Sequence, residues 1–297
     1  MKRTLALLAA FAFATGVAAQ EGTLKKVKDS GTITIGHRDA SVPFSYYDDK
    51  QQPVGYSMDI CARVVDAVKK ETGVQNLKVN YQLVTSANRI PLMANGTIDL
   101  ECGSTTNNLA RQEQVWFATT HFVTANRYVS KRASKIGKLA DLKGKTIVST
   151  AGTTNIKQIT EINGEQKLGM NIISANGHAE AFQMVETGRA VAFVMDDILL
   201  YSLVAQSRSP KDYVISAEAL SVEPYGIMLR KDDPEFKKVV DGAMTNVYKS
   251  GEINKIYDKW FQKPIPPRGL NLNVPMSEQF KKVIAKPTDS GDPNDYK

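Results

Sequence analysis

Apolar residues along this chain fall into two periods, two and about 3.6, and the switches between them mark its elements. After a short helix ending near Ser30, GTITIGHR reads as a buried strand, with His37 and Arg38 at its carboxyl end. PFSYYDDKQQPVGY alternates aromatics about a polar turn, the pattern of a hairpin. SMDICARVVDAVKKET repeats apolar residues at helical spacing. LKVNYQLV then predicts a strand, TSANRIPLMANG a helix with Ser86 near its cap, and IDLEC a further strand. Together these make one α/β lobe.

From about Arg127 the pattern begins again. KLADLKGK predicts a helical turn, TIVST a strand, AGTTN a turn, and residues 156–162 a helix. NIISA, HAEAFQMVETG and AVAFVMDD follow as strand, helix and strand. PLMANGTIDLECGS and QMVETGRAVAFVMDD share an outline: a helix stopped near a glycine, then a buried strand ending in polar residues. Strands alternating with helices of this length predict largely parallel sheets in both lobes. The stretch from Glu223 to Phe261 adds a strand and two helices, the first opened by Asp232 and Asp233 ahead of Pro234, and these return to the first lobe. Two strands then cross between lobes, near Arg127 to Ser130 and near Ser221 to Tyr225, as in a hinge. The expected boundaries are 1–19 for a leader, 20–127 for lobe one, 128–221 for lobe two, 222–285 for the return, and 286–297 for a polar, frayed tail.

The first residues, MKRTLALLAAFAFATGVAAQ, place Lys2 and Arg3 before an apolar core and small residues at Val17 and Ala19, which is a secretory leader cut after Ala19. No later apolar run reaches the roughly 18 to 20 residues of a membrane span, so the exported chain is expected to be soluble and periplasmic. Cys61 is far from the cleavage point, which excludes a lipid-modified cysteine anchor there. The formal charge of +7 includes Lys2 and Arg3 of the leader, and the remaining basic residues are spread along helices rather than interleaved with aromatics. That excludes a nucleic-acid reader and favours acidic ligands. Two cysteines in an exported chain favour one disulfide, Cys61 to Cys102, between a helix and a strand that pack in one layer; two buried thiols are the alternative.

Thr85 to Arg111 concentrates candidate chemistry. IDLEC followed by GSTTNN is a strand running into a helix start, whose exposed N–H groups bind carboxylate or phosphate. Arg89 and Arg111 add planar guanidinium forks that match a carboxylate. GTITIGHRDASVPFSYYDDKQQPVGYSMDI, TSANRIPLMANGTIDLECGSTTNN, GRAVAFVMDD and YGIMLRKDDPEFK resemble the periplasmic glutamate/aspartate-binding proteins, the solute receptors of polar amino-acid ABC transporters. The likeness spans nearly all of the exported chain. HRDASVPFSYY and ECGSTTNN point to the acidic amino-acid subgroup. GYSMDICARVV fits the broad signature except at Ser57, a position usually acidic, which touches helix packing more than ligand.

The resemblance implies an α/β, two-lobed periplasmic binding protein fold of type II with two hinge strands, closing on a ligand between the lobes. It implies no cofactor or metal, L-glutamate or L-aspartate as ligand, and an inner-membrane ABC permease as partner; a monomer is expected. A dicarboxylic amino acid presents three charges, each needing a partner when buried. Arg111, with the N–H groups of Thr106 and Thr154, is the candidate for the α-carboxylate; a solvated helix arginine is the alternative. Asp196, helped by Ser104 and Thr106, is the candidate for the α-ammonium, with Asp197 competing. Arg38, Ser86, Arg89 and His178 are implied, mainly by the resemblance, for the side-chain carboxylate. His178 alone would read as a helix cap or surface residue. Phe44 and Tyr46 line either the pocket mouth or the core. An enzyme on the same fold, of the exported dehydratase kind, finds no GxSxG or HExxH motif and only His37, His121 and His178 as histidines. A ligand-presenting sensor component and a receptor for another polar amino acid or dicarboxylate remain the other readings.

Overall fold

The computed structural model describes residues 22–297, so the expected leader lies outside the described residues. Thr32–His37, whose alternate residues Ile33 and Ile35 are buried, lies inside a five-stranded sheet. It pairs in parallel with Lys78–Leu83 on one side and Leu100–Glu101 on the other. The returning strand Met228–Arg230 joins next to Leu100–Glu101, antiparallel to it and to Val115–Phe117. Over this sheet lies the helix Tyr56–Thr72, which turns Tyr56, Ile60, Cys61, Val64 and Val68 inward at spacings of one to four residues and stops at Gly73 in the left-handed region (φ 71°).

Cys61 of that helix is bonded to Cys102 just past the strand end, with Cα atoms 6.3 Å apart, so the free-thiol alternative does not hold. Closing a loop over a sequence separation of 41 stabilises the lobe, by about 2–4 kcal/mol. Ser57 does serve packing. Its hydroxyl donates to the Gly103 carbonyl at 2.8 Å and meets His121 Nε2 at 3.0 Å. Phe44 and Tyr46 are core residues rather than pocket lining, since Phe44 packs edge-on against Phe122, Tyr225 and Phe261, and Tyr46 against Trp260.

The chain leaves this lobe earlier than the sequence predicts. Phe122–Lys131 is one ten-residue strand. Its first half runs antiparallel to Ser221–Tyr225, while residues 126–130 pair with Ala192–Asp196 inside the second lobe's sheet. The crossing therefore falls at Phe122–Thr124 rather than at 127–130. The Phe122 ring fixes it, stacking 5.0 Å from Phe261 in the first lobe's aromatic core. In lobe two, Asn171–Ala175, Thr146–Thr150 and Ala192–Asp196 are parallel, and Phe122–Lys131 and Tyr213–Ile215 are antiparallel to their neighbours. The expectation of largely parallel sheets thus holds for the βαβ units and fails where the chain enters, leaves or returns, because crossing strands must run in opposite directions.

Two further segments differ from the sequence reading. Asp197–Gln206 is a helix that the apolar pattern did not reveal: ILLYSLVA is apolar all round, so no stripe stands out. The tail expected to fray over 286–297 is docked. Thr120 N donates to Thr288 O at 2.9 Å, Asn107 Nδ2 donates to Asp289 O at 2.8 Å, and Tyr296 is buried with its hydroxyl on Ser290 O. Polar composition alone does not show that the backbone of such a segment satisfies donors elsewhere.

Candidate functional site

A small, tight cavity lies between the lobes. Ser86, Arg89, Ser104 and Thr106 face it from lobe one; Thr153, Thr154, Asn155, His178, Met195, Asp196 and Leu199 face it from lobe two. Seven of the nine predicted ligand residues are in this wall, whereas Arg38 and Arg111 stand behind it. A wider hollow on the outer surface, lined by Thr23, Lys26, Asp29, Asp99 and Arg230 among others, has its charges paired, Lys26 with Asp99 at 2.8 Å, Arg230 with Asp233 at 3.1 Å and Asp29 with Lys25 at 2.6 Å. The cleft differs in offering unpaired groups.

One end of the cavity is rich in donors. Arg89 opens the helix Arg89–Ala94, and its buried guanidinium is held from behind: Nη1 donates to Thr105 Oγ1 at 2.5 Å and to Ser104 O at 3.2 Å. Thr105 in turn donates to Glu101 Oε2 at 2.5 Å. Arg89 Nε, Arg38 Nε and Nη1, and the hydroxyls of Ser86 and Ser104 have no partner among the described residues. Leaving a buried polar group unpaired costs about 1–3 kcal/mol, more for a charge, so the guanidinium N–H groups and the Ser86 hydroxyl are matched to an acceptor, while the Ser104 hydroxyl can serve either way. Burial first, and the neighbouring Arg89 second, bring Arg38 and Arg111 each down to about 10, still charged at neutral pH. Burial likewise lowers Arg89, and Glu101 opposes the effect.

His178, first residue of its helix, is buried rather than a surface cap. Its Nδ1 lies 2.9 Å from Thr150 Oγ1. Burial, then Arg38 and Arg89, hold its pKa well below the usual 6.5, so the ring is neutral. The Thr150 hydroxyl engages Nδ1, which leaves Nε2 as the ring nitrogen with no hydrogen-bond partner among the described residues.

The other end accepts. Asp196 receives Asn155 Nδ2 at 2.7 Å and the Tyr225 hydroxyl. Burial, and after it the Glu223 carboxylate, push its pKa up to about 7. Glu223 is itself held by Thr154 Oγ1 at 2.9 Å, Gln158 Nε2 at 2.8 Å and Ser221. Asp197 lies outside the cavity wall, bonded to Thr124 Oγ1 at 2.5 Å and Arg127 Nε at 3.1 Å.

Between the ends, backbone donors converge. The antiparallel bridge of Thr106 with Tyr225 is flanked by Asn107 N to Pro224 O and Gly226 N to Thr105 O. That pattern turns Thr106 N–H and C=O away from the bridge, and the C=O receives Arg111 Nη1 at 2.8 Å. Thr153 caps the helix Thr154–Glu165 by accepting from Ile156 N, which leaves the N–H of Thr154 free of the helix ladder. Arg111 is not solvated: Nη2 reaches Gly152 O of the other lobe at 3.1 Å.

Sequence reasoning missed Thr153, Asn155, Met195 and Leu199 in the wall, and Glu101, Glu223 and Tyr225 behind it. An acid inside the apolar run IDLEC was the one signal available for Glu101. Among the described residues the site offers matched charges but no activated nucleophile. The hydroxyl bonded to His178, that of Thr150, belongs to a residue outside the cavity wall.

Residues 33–263 match the family described as bacterial extracellular solute-binding proteins, family 3. An L-glutamate/L-aspartate-binding protein of Pseudomonas aeruginosa is 58% identical over 269 residues, covering 90% of this chain and 89% of that one. A glutamate/aspartate import solute-binding protein of Escherichia coli is 48% identical over 286 residues, covering 96% and 95%. Among solved structures, an ancestral arginine-binding protein bound to arginine superposes with a TM-score of 0.70 at 28% identity, over 78% of this chain and 98% of that one.

Proposed function

This chain belongs to family 3 of the bacterial extracellular solute-binding proteins, and from that premise we propose that it is a receptor that takes up L-glutamate and L-aspartate and delivers them to an ABC permease. One observation carries the ligand assignment. The small cavity between the lobes has unpaired arginine and hydroxyl donors at one end and the Asp196 carboxylate at the other. The names of two relatives at 58% and 48% identity support the same ligands, and the second supports import rather than sensing. In the proposed complex Asp196, with Ser104 and Thr106 oxygens, takes the α-ammonium. Arg111 and the N–H groups of Thr106 and Thr154 take the α-carboxylate. Arg38, Ser86, Arg89 and His178 take the side-chain carboxylate. The family's extracellular description and the leader support a periplasmic site of action after cleavage.

Selectivity follows from the charges. A side-chain amide would leave buried arginines uncompensated, whereas glutamate and aspartate differ by one methylene, worth about 1–3 kcal/mol. Titration calorimetry with the common L-amino acids should show glutamate and aspartate binding and their amides on the order of 100-fold weaker or worse. Arg89→Ala should lose a comparable factor for both acids. Equal affinity for glutamine and glutamate would sink the acidic subsite.

A further inference from the structure

We infer that Gly152 sets how closely the two lobes shut, so that the ligand groups on each side of the cavity meet only because this position has no side chain. The inference rests on the reading of the cleft as an amino-acid site. Gly152 lies in the turn between Thr146–Thr150 and Thr154–Glu165, with φ 73°, in the left-handed region. A Cβ there would lie 2.5 Å from Ala87 Cα, 2.6 Å from Ser86 O and 2.8 Å from Ala87 N. All three atoms are backbone and belong to the opposite lobe.

Neither turn has room to yield. On one side Ala151 N is bonded to Ala175 O at 2.8 Å, and Thr153 Oγ1 donates to Thr150 O at 2.7 Å while accepting from Ile156 N. On the other side Thr85 N donates to Asn88 Oδ1 at 2.7 Å and Asn88 N to Thr85 Oγ1 at 3.2 Å. Relief of the overlap must come from the lobes moving apart by about an ångström, since carbon atoms rest about 3.5–4.0 Å apart. The contact also borders the site: Ser86 and Thr153 line the cavity, and Gly152 O accepts Arg111 Nη2 across it. A shift of that size lengthens the paired contacts of both lobes at once, and affinity falls with the fraction of closed protein.

A control isolates closure from backbone strain. Gly144 has the same left-handed conformation (φ 68°), sits in the same lobe, and a Cβ added to it would meet nothing within 4 Å. Gly144→Ala and Gly152→Ala therefore carry the same local cost, and only the second meets lobe one. The test measures L-glutamate affinity, thermal midpoint, and lobe separation by fluorescence transfer between dyes on the two outer faces, in both variants and the unaltered protein. We expect similar midpoints for the two variants, affinity within about twofold of the parent for Gly144→Ala, and at least about tenfold weaker for Gly152→Ala with a wider liganded separation. Gly152→Ala binding and closing like the parent overturns the inference. If the parent itself does not bind glutamate, the functional reading has failed instead. The unliganded separations then decide, wider for Gly152→Ala in support and equal in the two variants against.

Discussion

Asp196 is held between two demands. Burial and Glu223 push its pKa up to about 7, while Asn155 and Tyr225 favour the ionised form and a ligand ammonium would favour it further. In the closed arrangement without ligand Asp196 is therefore mostly protonated below about 7, and an ammonium that enters displaces that proton. Affinity for L-glutamate should be level above that pH and weaken by up to about tenfold per unit below it. Burial first, then Arg38 and Arg89, hold the His178 pKa well below its usual value, so that ring is neutral at pH 7. The linkage on stability has the opposite sign: a carboxyl with a raised folded pKa takes stability from the unliganded protein as pH rises towards about 7. Calorimetry from about pH 8 to 5, in buffers of different ionisation enthalpy, should find one proton released at low pH. A level profile in the parent would exclude the assignment, and Asp196→Asn should abolish the slope along with tight binding. The charged residues that line the cavity, Arg89 and Asp196, were legible because their types announce charge. Glu101, Asn155 and Tyr225 were not, since each acts by orienting another side chain.

The elements that escaped the pattern are those whose partners are remote in sequence. The terminal segment reads as polar and loose, yet Thr288 and Tyr296 both meet Thr120 and Asp289 meets Asn107, next to where the chain crosses between lobes. Deleting residues 288–297 removes several buried hydrogen bonds, each worth about 1 kcal/mol, and the burial of one tyrosine, worth about 2 kcal/mol. Scanning calorimetry should show a loss on the order of 5 kcal/mol, about ten degrees in midpoint. An unchanged midpoint would mean the segment is not held as described. The helix Asp197–Gln206 was hidden for a different reason: with Ile198, Leu199 and Leu200 all buried in one turn, it lacks the polar stripe that helical periodicity requires.

At the scale of the whole molecule, one side of the site is on each lobe, joined by Phe122–Thr124 and Ser221–Tyr225. A ligand that satisfies Arg89 in one lobe and Asp196 in the other favours the closed form by its differential contacts. Small-angle scattering should therefore show compaction on adding L-glutamate, and none with an amino acid that lacks the second carboxylate at the same concentration. The sequence by itself determined the two α/β lobes, that Cys61 and Cys102 are the one possible disulfide pair, and the residues carrying charge, because periodicity, cysteine count and side-chain chemistry are local properties. Only the tertiary structure decided where the chain crosses, that Asp196 rather than Asp197 faces the cavity, that the tail docks, and that Gly152 meets Ser86 and Ala87. Those outcomes depend on which backbone surfaces approach each other, and no single segment contains both surfaces.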